Sequence, residues 1–296
     1  MGVITREVWA EVENSAYELW DLEMKAKKDY IPMMYNVSDS NRSEEKHLGV
    51  GSVGQMKPWN GTVDYQDFTK GFEKGYRHAK YSSGLQIEEE VFRFGEYRQI
   101  KDRVRKLNDS VYKTLQSHAV STFNNANNAA FAGPDSVALC SASHPYSPSD
   151  ATVQSNLGAL DLTPANMNTV FNAMADFKDD KGDIVGVTPN LIICGNYYRD
   201  KAKKIVGSDK EPFSAENDMN TWADELTYMY NPRITGKTWF LADSQRMKLY
   251  LNWYNARKAA LESDGDFDTE IMKFKVVSMF SYGWDHWDWL YGNFVS

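Results

Sequence analysis

Disulfides do not hold this protein together. Its 296 residues include two cysteines, Cys140 and Cys194, far apart and in no CxxC pair. That excludes a disulfide framework and suits a reducing compartment such as a cytosol. An excess of positive charge is missing too. Asp and Glu number 41 against 33 Lys and Arg, giving a formal net charge of −8. A generic nucleic-acid reader is basic, so a base-reading role is disfavoured. No apolar run approaches the ~20 residues of a membrane span; the longest resemble LIIC, 191–194. The opening MGVITREVWAEVENSAYELWD is charged from Arg6 onward and has no apolar centre, so no secretory signal is expected. Proline is absent between Pro58 and Pro134, and no internal repeat is evident.

Aromatic residues, by contrast, reach 14%, with nine Trp and 17 Tyr. Such richness points to large packed interfaces. Residues 5–28 read as an amphipathic helix, with Val8, Val12, Leu19 and Trp20 on one side and Lys25, Lys27 and Lys28 at its C-terminal end. It is either an ordinary surface helix or an arm that leans on a neighbouring subunit. Residues 36–84 are rich in glycine and poor in aliphatics, with Trp59, Tyr65, Phe68, Phe72, Tyr76 and Tyr81 spread among polar residues. Short alternating runs such as Thr62–Phe68 suit a two-stranded ribbon. Such a ribbon is marginal alone and needs another surface.

From Leu85 to Phe123 apolar residues recur every three or four positions, which predicts one long helix. Thirty to forty residues would make a rod of about 45–60 Å. An α/β pattern follows. Thr163-Pro164 caps a helix ending at Gly182, PNLIICG is a buried strand, and NYYRDKAKKIVG is a second helix. Strand signals return at 226–230 and 238–241, and the stretch 272–295 reads as one or two long strands.

Four stretches tempt a chemical reading. LCSASHPYSPSD, 139–150, places Cys140 near His144. A nucleophile needs a base in reach and a group orienting that base, but adjacency in sequence is not the usual signature, and Pro145 and Pro148 stiffen the segment. ESDGDFDTE alternates Asp264, Asp266 and Asp268, yet Thr269 and Lys275 stand where a calcium loop needs Gly and Glu. PNLIICGNYYRDK has one glycine, too few for a phosphate loop. WDHWDWLYG offers Trp284, Trp287 and Trp289 for stacking on a sugar and an Asp/His pair for a metal. As a strand it would set Trp284, His286 and Asp288 on one face, and the plainer reading is aromatic packing in a sheet. No catalytic constellation survives.

Four passages, distributed along most of the chain, carry a resemblance: IPMMYNVSDSNRSEEKHLGVGSVGQMKPWNG, GFEKGYRHAKYSSGLQIEEE, LCSASHPYSPSD, and TWFLADSQRMKLYLNWYNARKAALESDGDFDTEIMKFKVVSMFSYGWDHWDWLYG. Their order resembles a phage major capsid protein of the HK97-type fold, most similar to the Mu-like major head subunit family. The resemblance implies an α+β chain with an N-terminal arm over 1–40 and an extended E-loop hairpin over 41–82. It implies a peripheral domain with a spine helix over 83–155, an α/β axial domain over 156–249, and a return to the peripheral domain over 250–296. Trp9, Trp59, Tyr65, Phe68 and Tyr76 would then meet neighbouring subunits. Leu139, His144 and Pro145 would form the turn joining the domains. No catalytic residue, cofactor or metal is implied.

The implied partners are further copies in pentamers and hexamers, a separate scaffolding protein, a portal, and packaged double-stranded DNA contacted without sequence preference. The implied location is the virion, and the bacterial host cytoplasm during assembly, with no membrane. The alternative on the same fold is an encapsulin-like nanocompartment shell.

Overall fold

The computed structural model describes residues 6–88, 90–91, 96–210, 212, 219–266 and 271–295, with side chains from residue 11 onward except Asp266. Helix α1, Arg6–Ala26, fulfils the first expectation. Val12, Ala16 and Trp20 recur every four residues and are buried. The stripe closes against this same chain, so the arm does not need a neighbour to cover it. The side chains of Val8 and Trp9 lie outside the described residues. Pro32 sits in the first turn of α2, Ile31–Met34, where its missing N–H costs nothing.

Strand β1, Asn36–Asp39, is followed by a hairpin of β2, Glu44–Val50, and β3, Lys70–Arg77. Glu44 pairs with Arg77 and Glu45 with Tyr76. The ribbon therefore forms at the flanks of the glycine-rich stretch. It does not form along Thr62–Phe68, because residues 51–69 hold no strand. Gly49 and Gly71 cross so closely that a Cβ on Gly71 would lie 2.6 Å from the Gly49 carbonyl carbon. Only glycine fits there.

The long helix begins later than its spacing suggests. Residues expected in its first turns belong to β4, Ala79–Glu88, where Leu85 pairs with Phe274 and Ile87 with Met272. Tyr81, Ser83, Leu85 and Ile87 share the more buried face, a period of two that the sheet enforces over the helical reading. Helix α3 then spans Tyr97–Asn124, 28 residues or about 42 Å. Gly95 lies outside the described residues.

Next come β5, His144–Ser147, β6, Asp150–Gln154, β7, Leu157–Gly158, α4, Pro164–Ala175, and β8, Leu191–Cys194. They lead into α5, Arg199–Gly207, β9, Thr227–Tyr230, β10, Thr238–Ala242, and α6, Ser244–Tyr250. The chain closes with β11, Leu251–Asp266, β12, Ile271–Trp284, and β13, Leu290–Phe294. The Thr163 side chain accepts from Asn166 N and caps α4 as its sequence signal required. α4 itself ends at Ala175, short of Gly182.

β11 is the longest of the described strands that local signals missed. It runs through the acidic stretch, with Asp264 opposite Lys273, so Glu262–Asp266 form a strand and no calcium loop.

Two sheets result. One has the order β1-β11-β12-β4, the other β7-β13-β10-β8-β9. β13 pairs with β10 and β7 in the second. α3 serves both. Ile100, Val104, Leu107 and Val111 pack with α1 and the four-stranded sheet through Ile87, Met272 and Phe274. Ala119, Val120 and Phe123 enter the core of the five-stranded sheet with Ile192, Ile193 and Phe240.

Among the described residues no helix is long and apolar enough to cross a membrane. Phe274→Ala removes a buried ring from the sheet beneath α3 and is expected to cost about 3–5 kcal/mol, measured by denaturant unfolding of unassembled subunits.

Candidate functional site

The stretch around His144 resolves first. His144 is fully buried and stacks on Trp287 at 4.3 Å between centroids. Its Nδ1 lies 2.5 Å from Asp135 Oδ2 and its Nε2 lies 3.0 Å from Asn156 Oδ1. The Asn156 amide donates to the carbonyls of Leu139 and Leu290. That fixes Oδ1 as the acceptor, so it accepts one hydrogen bond from His144 Nε2 and another from Ser141 N. Both ring nitrogens are thus engaged, and none serves Cys140. Burial also pushes the Cys140 thiol far above its usual value, and an inert thiol is no nucleophile.

Leu139 is buried, and Pro145 pairs with Val153 in the β5–β6 ribbon. The junction works by shape and hydrogen bonding. Asp135 and Asn156 complete it, and neither was visible as a site residue, being 9 and 12 residues away with no motif to mark them. The C-terminal tryptophans follow the same pattern. Trp284 ends β12, Trp287 and Trp289 lie in the turn after it, and all three are buried. They form no exposed row for a sugar.

A second cluster anchors the hairpin. Asp285 accepts from Tyr76 Oη, from Asn252 Nδ2 at 2.7 Å, and meets His47 Nδ1 at 2.7 Å. His47 Nε2 in turn contacts Tyr254 Oη at 2.8 Å. Burial first, and the Asp285 carboxylate second, raise the Tyr76 phenol well above its usual range. Lys74 donates to the Ala132 carbonyl at 2.7 Å. Tyr76, expected at an inter-subunit contact, is instead buried in its own chain, because β3 turns it towards Asp285.

Beyond this stem the hairpin changes character. Trp59 is 73% exposed, Tyr65 91%, Phe68 67% and Met56 97%. Isolated apolar side chains on a surface are ordinary, whereas here four share one extended loop. Between stem and tip lies a neck. Asp180 Oδ1 accepts from Ser52 N at 2.8 Å and Asp180 Oδ2 from Thr69 Oγ1 at 2.7 Å. Partial burial opposes the charge on Asp180, yet these donors win and hold its carboxyl below the usual value.

Arg246 and Asp288 form a third charged group, with His286 Nδ1 3.0 Å from Asp288 Oδ1. Burial works against both charges. The pairing outweighs it, so His286 is raised above 6.5 and Asp288 lowered below 3.8. Among the described residues no His, Cys, Asp and Glu cluster suited to a metal is found.

The stretch 71–293, three-quarters of the chain, matches the family model described as phage capsid protein. No curated protein matches the sequence. The solved capsid of bacteriophage JBD30 is similar at 14% identity, over 72% of this chain and 92% of that one, with a TM-score of 0.56. The procapsid of the same phage matches at 12% identity over 99% of this chain and 77% of that one, TM-score 0.59. A virus-like particle from Pyrococcus furiosus matches at 9% identity over 95% and 98% of the two chains, TM-score 0.56. At such identities the likeness is one of fold.

Two outcomes are expected. His144→Ala strands the buried Asp135 carboxylate and should destabilise the subunit by about 3–5 kcal/mol in denaturant titrations. The His286–Asp288 pair stabilises between the two unperturbed values. Its Asp288 share is lost as pH falls through the lowered carboxyl, and its His286 share as pH rises through the raised imidazole. In thermal melts above pH 6.5, wild type should therefore lose stability relative to His286→Gln, by under about 1 kcal/mol because the imidazole is half-exposed.

Proposed function

The chain belongs to the phage capsid protein family as a major capsid protein of HK97-type fold, and from that premise we propose that copies of it close into an icosahedral shell around the double-stranded DNA of a tailed phage or prophage. The family match over three-quarters of the chain carries this reading. The exposed aromatics of the 51–69 loop support it, since they lack a partner surface in the subunit. Trp59, Tyr65 and Phe68 meet a neighbouring subunit, and Tyr76 keeps the loop attached to its own. Pentamers and hexamers form the shell, the β9 edge and α4–α5 half being the axial domain and α3 with the four-stranded sheet the peripheral one.

The role is structural and non-enzymatic. A separate scaffolding protein and a portal join assembly, in the cytoplasm of the bacterial host, and the DNA is contacted without sequence preference. The order of the sequence passages favours the Mu-like branch. A nanocompartment shell rests on fold likeness alone, whereas the phage reading has the family match as well.

Negative-stain microscopy of the expressed protein, with its scaffold co-expressed, tests the proposal. Shells or capsomers are expected. Monomers under every condition would overturn it. Replacing residues 53–68 with a short Gly-Ser linker should abolish shells while leaving the thermal midpoint of the subunit within a few degrees, because the deleted part lies outside both cores.

A further inference from the structure

The loop that carries the exposed aromatics is held twice. The stem is held by Asp285. The neck is held by one carboxylate, Asp180, which reaches both legs of the loop at once: the Ser52 amide on the outgoing leg and the Thr69 hydroxyl on the returning one. The two legs bond to each other at the same level, Gly51 N donating to Thr69 O at 2.8 Å. A third bond runs alongside, from Gln55 Nε2 to Asp183 Oδ1 at 2.8 Å.

Asp180 sits on a stiff support. It lies in the tight turn between Phe177 and Val185. There Asp179 N donates to Asp183 O, Lys178 and Ile184 bridge, and Gly182 takes a positive φ of 86°. The turn is itself pinned to β6, because Gln154 bonds both the N–H and the carbonyl of Lys178, at 2.8 and 2.7 Å. The carboxylate is therefore placed before it meets the loop.

The loop side is shaped to receive it. A Cβ on Gly51 would run into Thr69 Oγ1 and stand 2.5 Å from Asp180 Oδ2. Any residue but glycine at 51 would push the carboxylate out. Beyond the neck, the halves of the loop bond to each other through Gln66 to Gly54 N and through the exposed Lys57–Asp64 pair, while the Gln55–Asp183 bond is exposed and holds one leg alone. Asp180 is thus the side chain that ties both legs of the neck to the subunit at once.

We propose that Asp180 is the positioning residue of assembly: by clasping both legs at the neck it sets the direction in which residues 51–69 leave the subunit, so that the apolar tip is presented to a second copy. This rests on the shell reading, in which that tip docks on a neighbour. A loop anchored only at its stem would sweep a wide cone, and ordering it would fall to the docking step. The clasp orders it beforehand.

Hydrogen exchange on unassembled subunits, together with the protein concentration at which shells first appear, tests the clasp. In Asp180→Ala, the Ser52 amide should exchange at least about ten-fold faster, while amides in 44–48 and 72–77 stay protected and the thermal midpoint holds. Asp180→Asn, which keeps one acceptor, should fall between Ala and wild type. Gly51→Ala should match Asp180→Ala from the opposite side of the contact. For all three, the concentration needed for shells should rise several-fold in the same order. Unchanged exchange at Ser52 would overturn the clasp. Faster exchange with an unaltered shell threshold would overturn its positioning role. If wild type forms no shells at all, the shell reading fails, and the exchange data still decide whether Asp180 holds the neck.

Discussion

One helix face decides how this subunit is built. α3 presents an apolar stripe from Ile100 to Phe123, and two separate cores share it. Its first half closes α1 onto the four-stranded sheet, and its second half enters the core of the five-stranded sheet. A sheet with one bare face must bury it against something, and here a single rod covers part of both. The two halves are therefore tied together by one continuous helix. Some segments lie outside both cores. The hairpin loop is the clearest case, with Trp59, Tyr65 and Phe68 exposed.

Carboxylates hold the joints. Asp135 sits under His144 where the chain passes from α3 towards the five-stranded sheet. Asp285 gathers Tyr76, His47 and Asn252 at the hairpin stem. Asp180 clasps the neck, and Asp288 pairs with Arg246 and His286 beside the final turn. Each lies at a place where the chain changes direction and backbone pairing gives out. An ionised carboxylate offers several acceptor positions within a small volume and so can tie donors from different segments. The acidic balance of the sequence thus has a local use beyond keeping the surface charged.

The sequence alone determined the helices at α1, α4 and α5, the buried strand LIIC and the cap at Thr163, because each rests on spacing within a few residues, and the order of four longer passages carried the family resemblance. It likewise separated the aromatic loop from the core, since aliphatics are scarce there. Tertiary structure decided the rest. Residues 85–88 became strand because β12 was there to pair with them, and β11 formed through an acidic stretch that has no strand signal of its own. Tyr76 turned inward while Trp59, Tyr65 and Phe68 stayed out, although all four are aromatics in one glycine-rich segment. The partners of His47 and Tyr76 lie more than 200 residues away, and that of Ser52 lies 128 away. Periodicity reports which face of an element is apolar, and it carries no record of which distant donor a carboxylate will meet. That is settled only when the two cores along α3 bring the segments together.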